Sequence, residues 1–283
     1  MRGNDEGNDV TAGEATEGAA GGAAGGTLAG AVAVLAAANV LNNRIAPRLA
    51  PLTSAAATGA LVALARGSGL SWSEMGFRDG SRGLRIGGSL AAVVAAAYTA
   101  GIAIPATRRF FRDERALSLS RARVLEEALL QVPFGTVLLE EVGFRGVLQG
   151  LLARSHGTPV ATAVSSALFG LWHVLPAIDM AAANPALSAL AAEAGPADGS
   201  TDGPADASAD GSVEASPPDV PRVVAGSVVS TGLAGVLFCE LRRRGGLAAP
   251  AILHLATNSL GYLFARLAPR DGDAGGKTPE RTP

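Results

Sequence analysis

Three groups of polar residues in this chain have the type and spacing to do chemistry. The first is Glu140, Glu141 and Arg145, set in the run LLEEVGFRGVLQG over residues 138–150, which is otherwise mostly apolar or small. The second is Phe169 and His173, and the third is His254 and Asn258, each pair four residues apart. All three groups fall in apolar segments, where ionisable side chains are costly and face a bundle interior or a wet cavity. Residues four apart share a helix face, so Glu141 and Arg145 are expected to pair. Glu140 lies about 100° around the same helix and is left without an obvious local partner. A carboxylate so placed suits a general base or acid. Histidine can bind a metal, move protons or donate, and the amide of Asn258 can donate to a developing oxyanion.

Each group alone has an ordinary structural explanation. A histidine in an apolar helix is usually a packing residue, and a Glu–Arg pair is often a clamp. Together they point further, because the chain has only three histidines. Two of them lie in apolar segments, with a carboxylate cluster in a third. His156 falls in a turn and is assigned no role. The single cysteine, Cys239, allows no intrachain disulfide and reads as inert filler.

The elements that must hold these groups are membrane helices. Of the 283 residues, 48% are hydrophobic and only 17% charged, well below the quarter usual in soluble domains. Mean hydropathy is positive. The fold class expected is an all-α polytopic bundle of about seven spans, at 27–41, 52–65, 86–106, 124–153, 160–175, 223–241 and 247–267. The first two are the shortest. Residues 66–85 and 107–123 are arginine-rich interfacial segments, and Ser71 to Glu74 could start a short amphipathic helix at the membrane surface. The span at 124–153 exceeds the roughly 30 Å hydrocarbon core, so tilt is expected, with Glu126 and Glu127 at the interface. His156 to Pro159 reads as a turn and helix start, with Thr158 as cap.

Three stretches read as disordered: a Gly/Ala-rich tail at 1–26, an acidic low-complexity insertion at 177–222 and a tail at 268–283. Between them lie a region of N-terminal spans, 27–123, and a membrane domain, 124–267. Residue 1 is not followed by the basic start and compact apolar core of a secretory signal. The charge balance carries no nucleic-acid signature. Lys/Arg in the loops do not settle the orientation.

The order E-E-x-x-x-R, F-x-x-x-H, H-x-x-x-N, each in its own span, resembles the CAAX-protease and bacteriocin-processing family of intramembrane endopeptidases, also called the ABI family. Phe144-Arg145-Gly146 matches that family's F-R-G ending. The acidic insertion between the second and third motifs departs from the family's compact form. The resemblance implies that Glu140 activates water, that His173 holds or shuttles the proton, and that His254 and Asn258 stabilise the oxyanion. It implies that Glu141, Arg145 and Phe169 support the site. The family is commonly labelled a zinc metalloprotease, and Glu140, His173 and His254 make a plausible zinc set with one open position. A metal-free mechanism is equally compatible with these residues. The implied partners are membrane lipid and a peptide or protein substrate, in eukaryotic relatives a prenylated C-terminal tail. The Ala/Arg/Gly bias reads as prokaryotic, so peptide processing in a plasma membrane is the expectation.

Two other classes fit parts of the sequence. One is a non-catalytic membrane scaffold or bacteriocin self-immunity protein, with the acidic insertion as its contact surface. The other is a proton or cation transporter using Glu140, His173 and His254, against which stands the lack of an internal repeat.

Overall fold

A computed structural model describes residues 25–183 and 220–268. The expectations for 1–24, 184–219 and 269–283 lie outside the described residues. Among the described residues there are helices and turns and no strands.

Five helical stretches are long and apolar enough to cross a membrane. They are α1 (Gly25–Ile45), a stretch at Pro47–Gly67 that contains α2 (Ala50–Gly67), α3 (Gly80–Ala103), the continuous stretch Arg121–Ala182 and α7 (Val220–Gly245). At about 1.5 Å per residue, Arg121–Ala182 would be roughly 90 Å long if straight, enough for two passes. It is broken at Gly157 (φ 81°, ψ 164°), in the expected turn, into α4 (121–156) and α5 (158–172). The fourth and fifth expected spans are these two helices. The seventh is α8 (Ala248–Leu267), which is helical but not among the five stretches. A further helix, α6 (Val174–Ala183), continues beyond His173, so the start of the expected loop at 177 is ordered helix instead. Likewise Val220 to Arg222 open α7, and Gly25 and Gly26 belong to α1.

Helix α4 is the centre of the bundle. Every residue from 139 to 150 is buried. Around it pack Leu35 from α1, Leu61 from α2, Phe169 from α5, Phe238 from α7 and Leu253 from α8. Outward-facing positions such as Leu52, Val93, Leu129 and Leu233 are apolar, as lipid contact requires. Helix α4 is also irregular. Pro133 lacks an N–H, and the backbone runs in wide turns over Glu127–Val137, with Leu138 N donating to Pro133 O five residues back. A second wide-turned stretch follows at Glu141–Leu148. Carbonyls loosened this way need other donors. Ser54 Oγ of α2 donates to Gly135 O at 2.6 Å and also accepts from Asn42 Nδ2.

Helix α3 touches the end of α7 and the start of α8 through glycine. A Cβ on Gly83 would run into Gly245 O of α7 and lie 2.8 Å from Ala248 Cβ of α8, and one on Gly87 would lie 2.8 Å from Ala249 O. Small residues let helix backbones approach closely in membranes. At Gly88 a Cβ would meet nothing within 4 Å.

The segment between α2 and α3 corrects an expectation. Ser71 to Glu74 do not start a surface helix. They form one turn, with Met75 N on Ser71 O, and Leu70 and Met75 are fully buried under the bundle end. Of the large apolar residues in this segment only Trp72 and Phe77 stay exposed, edge to face at 5.4 Å. The Glu74 carboxylate accepts from Ser71 N and Oγ at 2.8 and 2.6 Å and from Arg154 Nη2 at 2.8 Å. Arg154 also donates to Ser68 O and Gly69 O, and Arg242 Nη2 to Glu74 O. The 107–123 segment is a series of short turns and helices, Pro105–Arg108 and Glu114–Leu117 among them, ahead of α4. Arg123 pairs there with Glu126 and Glu127.

Two outcomes follow. Gly87→Ala should destabilise the protein by about 1–3 kcal/mol through overpacking, while Gly88→Ala should leave the melting temperature in detergent unchanged or slightly raised. Glu74 is held down to about 2, first by the Ser71 hydroxyl and then by Arg154. A depressed carboxylate stabilises the fold above its ordinary value of 4.5 and ceases to as pH falls through about 2. Amide exchange at Ser71 and Met75 should therefore quicken across that interval beyond its intrinsic rate, and Glu74→Gln should remove the excess.

Candidate functional site

Glu140 and Glu141 project from α4 where its wide turns resume, His173 sits at the junction of α5 and α6, and His254 lies in the second turn of α8. The fold brings these four together. His173 Nε2 is 3.9 Å and His254 Nε2 3.7 Å from the same oxygen, Glu140 Oε2. Glu140 is 4% exposed and His254 4%, whereas the His173 side chain keeps 19% of its surface. His173 is thus the more accessible of the two imidazoles.

The far side of each ring fixes its tautomer. His173 Nδ1 faces Phe169 O at 2.8 Å, and His254 Nδ1 faces Glu141 Oε1 at 2.8 Å. A carbonyl and a carboxylate only accept, so each Nδ1 carries the hydrogen. In the neutral rings both Nε2 atoms then present lone pairs toward Glu140 Oε2. Three acceptors converge on one place. Glu140 Oε2 has no hydrogen-bond partner, nor has Glu141 Oε2.

The expected Glu141–Arg145 pair is looser than the four-residue spacing suggested. Glu141 Oε1 lies 3.7 Å from Arg145 Nη1, and none of the three guanidinium nitrogens makes a hydrogen bond. The wide-turned backbone over Glu141–Leu148 changes how far round the helix Arg145 points. The guanidinium instead lies 3.7 Å from the centroid of Phe169 and 4.9 Å from that of Phe238. Phe169, expected to support the site, is the face on which this buried cation rests. With neutral imidazoles, Arg145 is, among the described residues, the positive charge that lies beside the two buried carboxylates.

Glu140 is also not unpartnered. Trp172 Nε1 donates to Glu140 Oε1 at 2.9 Å, leaving Oε2 for the histidines. Trp172 was not singled out from the sequence, where it looked like one more apolar residue of a membrane span. Its position directly before His173 was the available signal. Asn258 stands one helical turn beyond His254, half-buried, and accepts from Thr257 Oγ1 at 3.4 Å. Among the described residues no hydrogen bond joins it to Glu140, Glu141 or either imidazole. For a metal, among the described residues no set of three or more His, Cys, Asp and Glu side chains is arranged to hold an ion.

Removing one member of a buried charge set leaves the others uncompensated. Arg145→Met should therefore cost about 3–5 kcal/mol, read as a fall in melting temperature. Arg123→Met, which breaks pairs at the surface, should leave the melting temperature nearly unchanged.

The comparisons with known proteins bear on the same segment. No curated protein matches the chain, and no solved structure matches it. A family model does match, over residues 127–260, and it is described as Rce1-like, type II CAAX prenyl endopeptidase Rce1-like. That interval runs from the start of the wide-turned part of α4 to just past Asn258, and so holds all three motifs. Over residues 127–260 this chain is therefore similar to the Rce1-like family, in agreement with the resemblance carried by Glu140, His173 and His254.

Proposed function

We propose that this protein is an intramembrane endopeptidase in which Glu140 activates water. The observation that carries the reading is the approach of His173 Nε2 and His254 Nε2 to the same Glu140 Oε2, at 3.9 and 3.7 Å. Three acceptors suit a water molecule, whose two hydrogens can go to two of them while its lone pair points at a scissile carbonyl. The water oxygen bonds to the carbonyl carbon as its proton passes to Glu140 Oε2. The Asn258 amide, one turn from His254, supplies a donor to the oxyanion. His254 becomes a second donor while it shares the proton that Glu140 Oε2 has taken from the water, with Glu141 on its far side to balance the charge. The C–N bond then breaks as the proton from Glu140 reaches the leaving nitrogen through His173, the more accessible ring.

Glu141 and Arg145 are supports in this scheme. Glu141 orients His254, and Arg145 offsets the negative charge from its aromatic seat. The steps need no metal. The substrate class proposed is a membrane-borne peptide cut near its C-terminus, in a prokaryotic plasma membrane. The bilayer is the surrounding lipid partner.

The test is cleavage of internally quenched peptides in proteoliposomes, one prenylated on a C-terminal C-a-a-X cysteine and one an unprenylated hydrophobic peptide. Glu140→Gln should reduce turnover by about a hundred- to ten-thousand-fold. Asn258→Ala should reduce it by about a hundred- to a thousand-fold. Unchanged cleavage by Glu140→Gln would end the peptidase reading. Turnover should survive 1,10-phenanthroline; loss that zinc restores would place a metal on the same three side chains.

A further inference from the structure

The indole of Trp172 sets which oxygen of Glu140 faces the histidines, so whatever fixes Trp172 acts on the base. Its backbone is oddly placed. In a continuous helix the carbonyl of residue 172 would accept from the N–H of residue 176. That residue is Pro176, which has none. Helical pairing resumes one residue later, with Ala177 N on His173 O at 2.9 Å. Trp172 O is therefore a buried carbonyl whose helical donor is missing by sequence. Its partner is Asn39 Nδ2 of α1, at 2.9 Å, 133 residues away along the chain. Asn39 is itself 9% exposed. The turn that follows it repeats the pattern on α6: Arg44 donates to Leu175 O at 3.2 Å and pairs with Asp179 at 3.0 Å.

We propose that Asn39 is a positioning residue for the site: by holding Trp172 O it fixes the indole that aims Glu140 Oε2 at His173 and His254. The proposal rests on the reading of Glu140 as the base for its effect on turnover, but not for its effect on the indole. It places a working part of the site in α1, outside the segment 127–260 that matches the family model. The substitution Pro176→Ala offers an internal check, because it restores an N–H at the position that would point at Trp172 O.

The chain has two tryptophans, Trp72 and Trp172, so the full chain carrying Trp72→Phe reports Trp172 alone. Excitation moves electron density away from the indole nitrogen, and an anion at Nε1 stabilises that state. Glu140→Gln should therefore shift the emission of Trp172 to shorter wavelength. Asn39→Leu, similar in size but without the donor, should shift it the same way. Asn39→Leu with Pro176→Ala should restore it. On the quenched peptides, Asn39→Leu should lower kcat about tenfold with KM unchanged, the scale of one lost hydrogen bond. The double variant should recover most of that loss.

An emission unchanged by Asn39→Leu, where Glu140→Gln does shift it, overturns the proposal. So does an emission that neither variant moves. A shift in Asn39→Leu that Pro176→Ala does not reverse also overturns it, since general loosening of α1 would behave that way. Should Glu140→Gln still cleave, the peptidase reading fails by itself, and the emission series still decides whether Asn39 positions Trp172.

Discussion

Two carboxylates and a guanidinium are buried together in the middle of an apolar helix, and the rest of the bundle is arranged around that constraint. Charges removed from water are tolerated only when each finds compensation. Here the compensation is unevenly shared. Glu141 has a histidine at 2.8 Å, Arg145 has aromatic faces, and Glu140 has an indole on one oxygen and, near the other, two imidazole nitrogens at 3.9 and 3.7 Å. Five of the eight buried side-chain polar atoms without a hydrogen bond, among the described residues, belong to these three residues. Fully satisfied polar groups hold a fold together; partly satisfied ones mark where something else is meant to bind.

The same constraint accounts for the irregular backbone of α4. Regular turns would place Glu140 and Glu141 on adjacent faces but would also commit every carbonyl of the helix to itself. The wide turns on either side of Leu138–Glu140 loosen that commitment, and the hairpin of α1 and α2 bonds one carbonyl there, Gly135 O, through both Ser54 and Asn42. Such exchange is required in a bilayer, where water is not there to bond a freed group. Broad-turned helix segments often sit at functional sites for this reason: they alter the direction of a side chain without leaving the helix.

Much of this was legible in the sequence, and the limits have physical causes. The helices and their approximate ends followed from apolar runs and from Gly157 and Pro159. Glu140, His173 and His254 stood out because charge is so rare in those runs that its presence needs a reason. The expected Glu141–Arg145 pair rested on regular helical spacing, and the wide turns of 141–148 loosened it. The surface helix at Ser71 was not formed because Leu70 and Met75 are drawn under the bundle, a tertiary demand that local pattern does not carry. Asn258 was grouped with His254 by spacing, and it does lie on the same face, yet its amide reaches none of the other site residues.

Trp172 was the instructive omission. In an apolar span a tryptophan reads as bulk, and its N–H acquires meaning only when a carboxylate from another helix arrives beside it. That arrival is set by contacts spanning 32 residues to Glu140 and 133 to Asn39, which no local window contains. Yet one clue was written locally: a proline four residues after Trp172 removes the donor its carbonyl would use. A missing N–H inside a membrane helix must be answered from somewhere. Following this deficit to its donor leads out of the segment that matches the family and into α1, so the first helix is part of what the site requires.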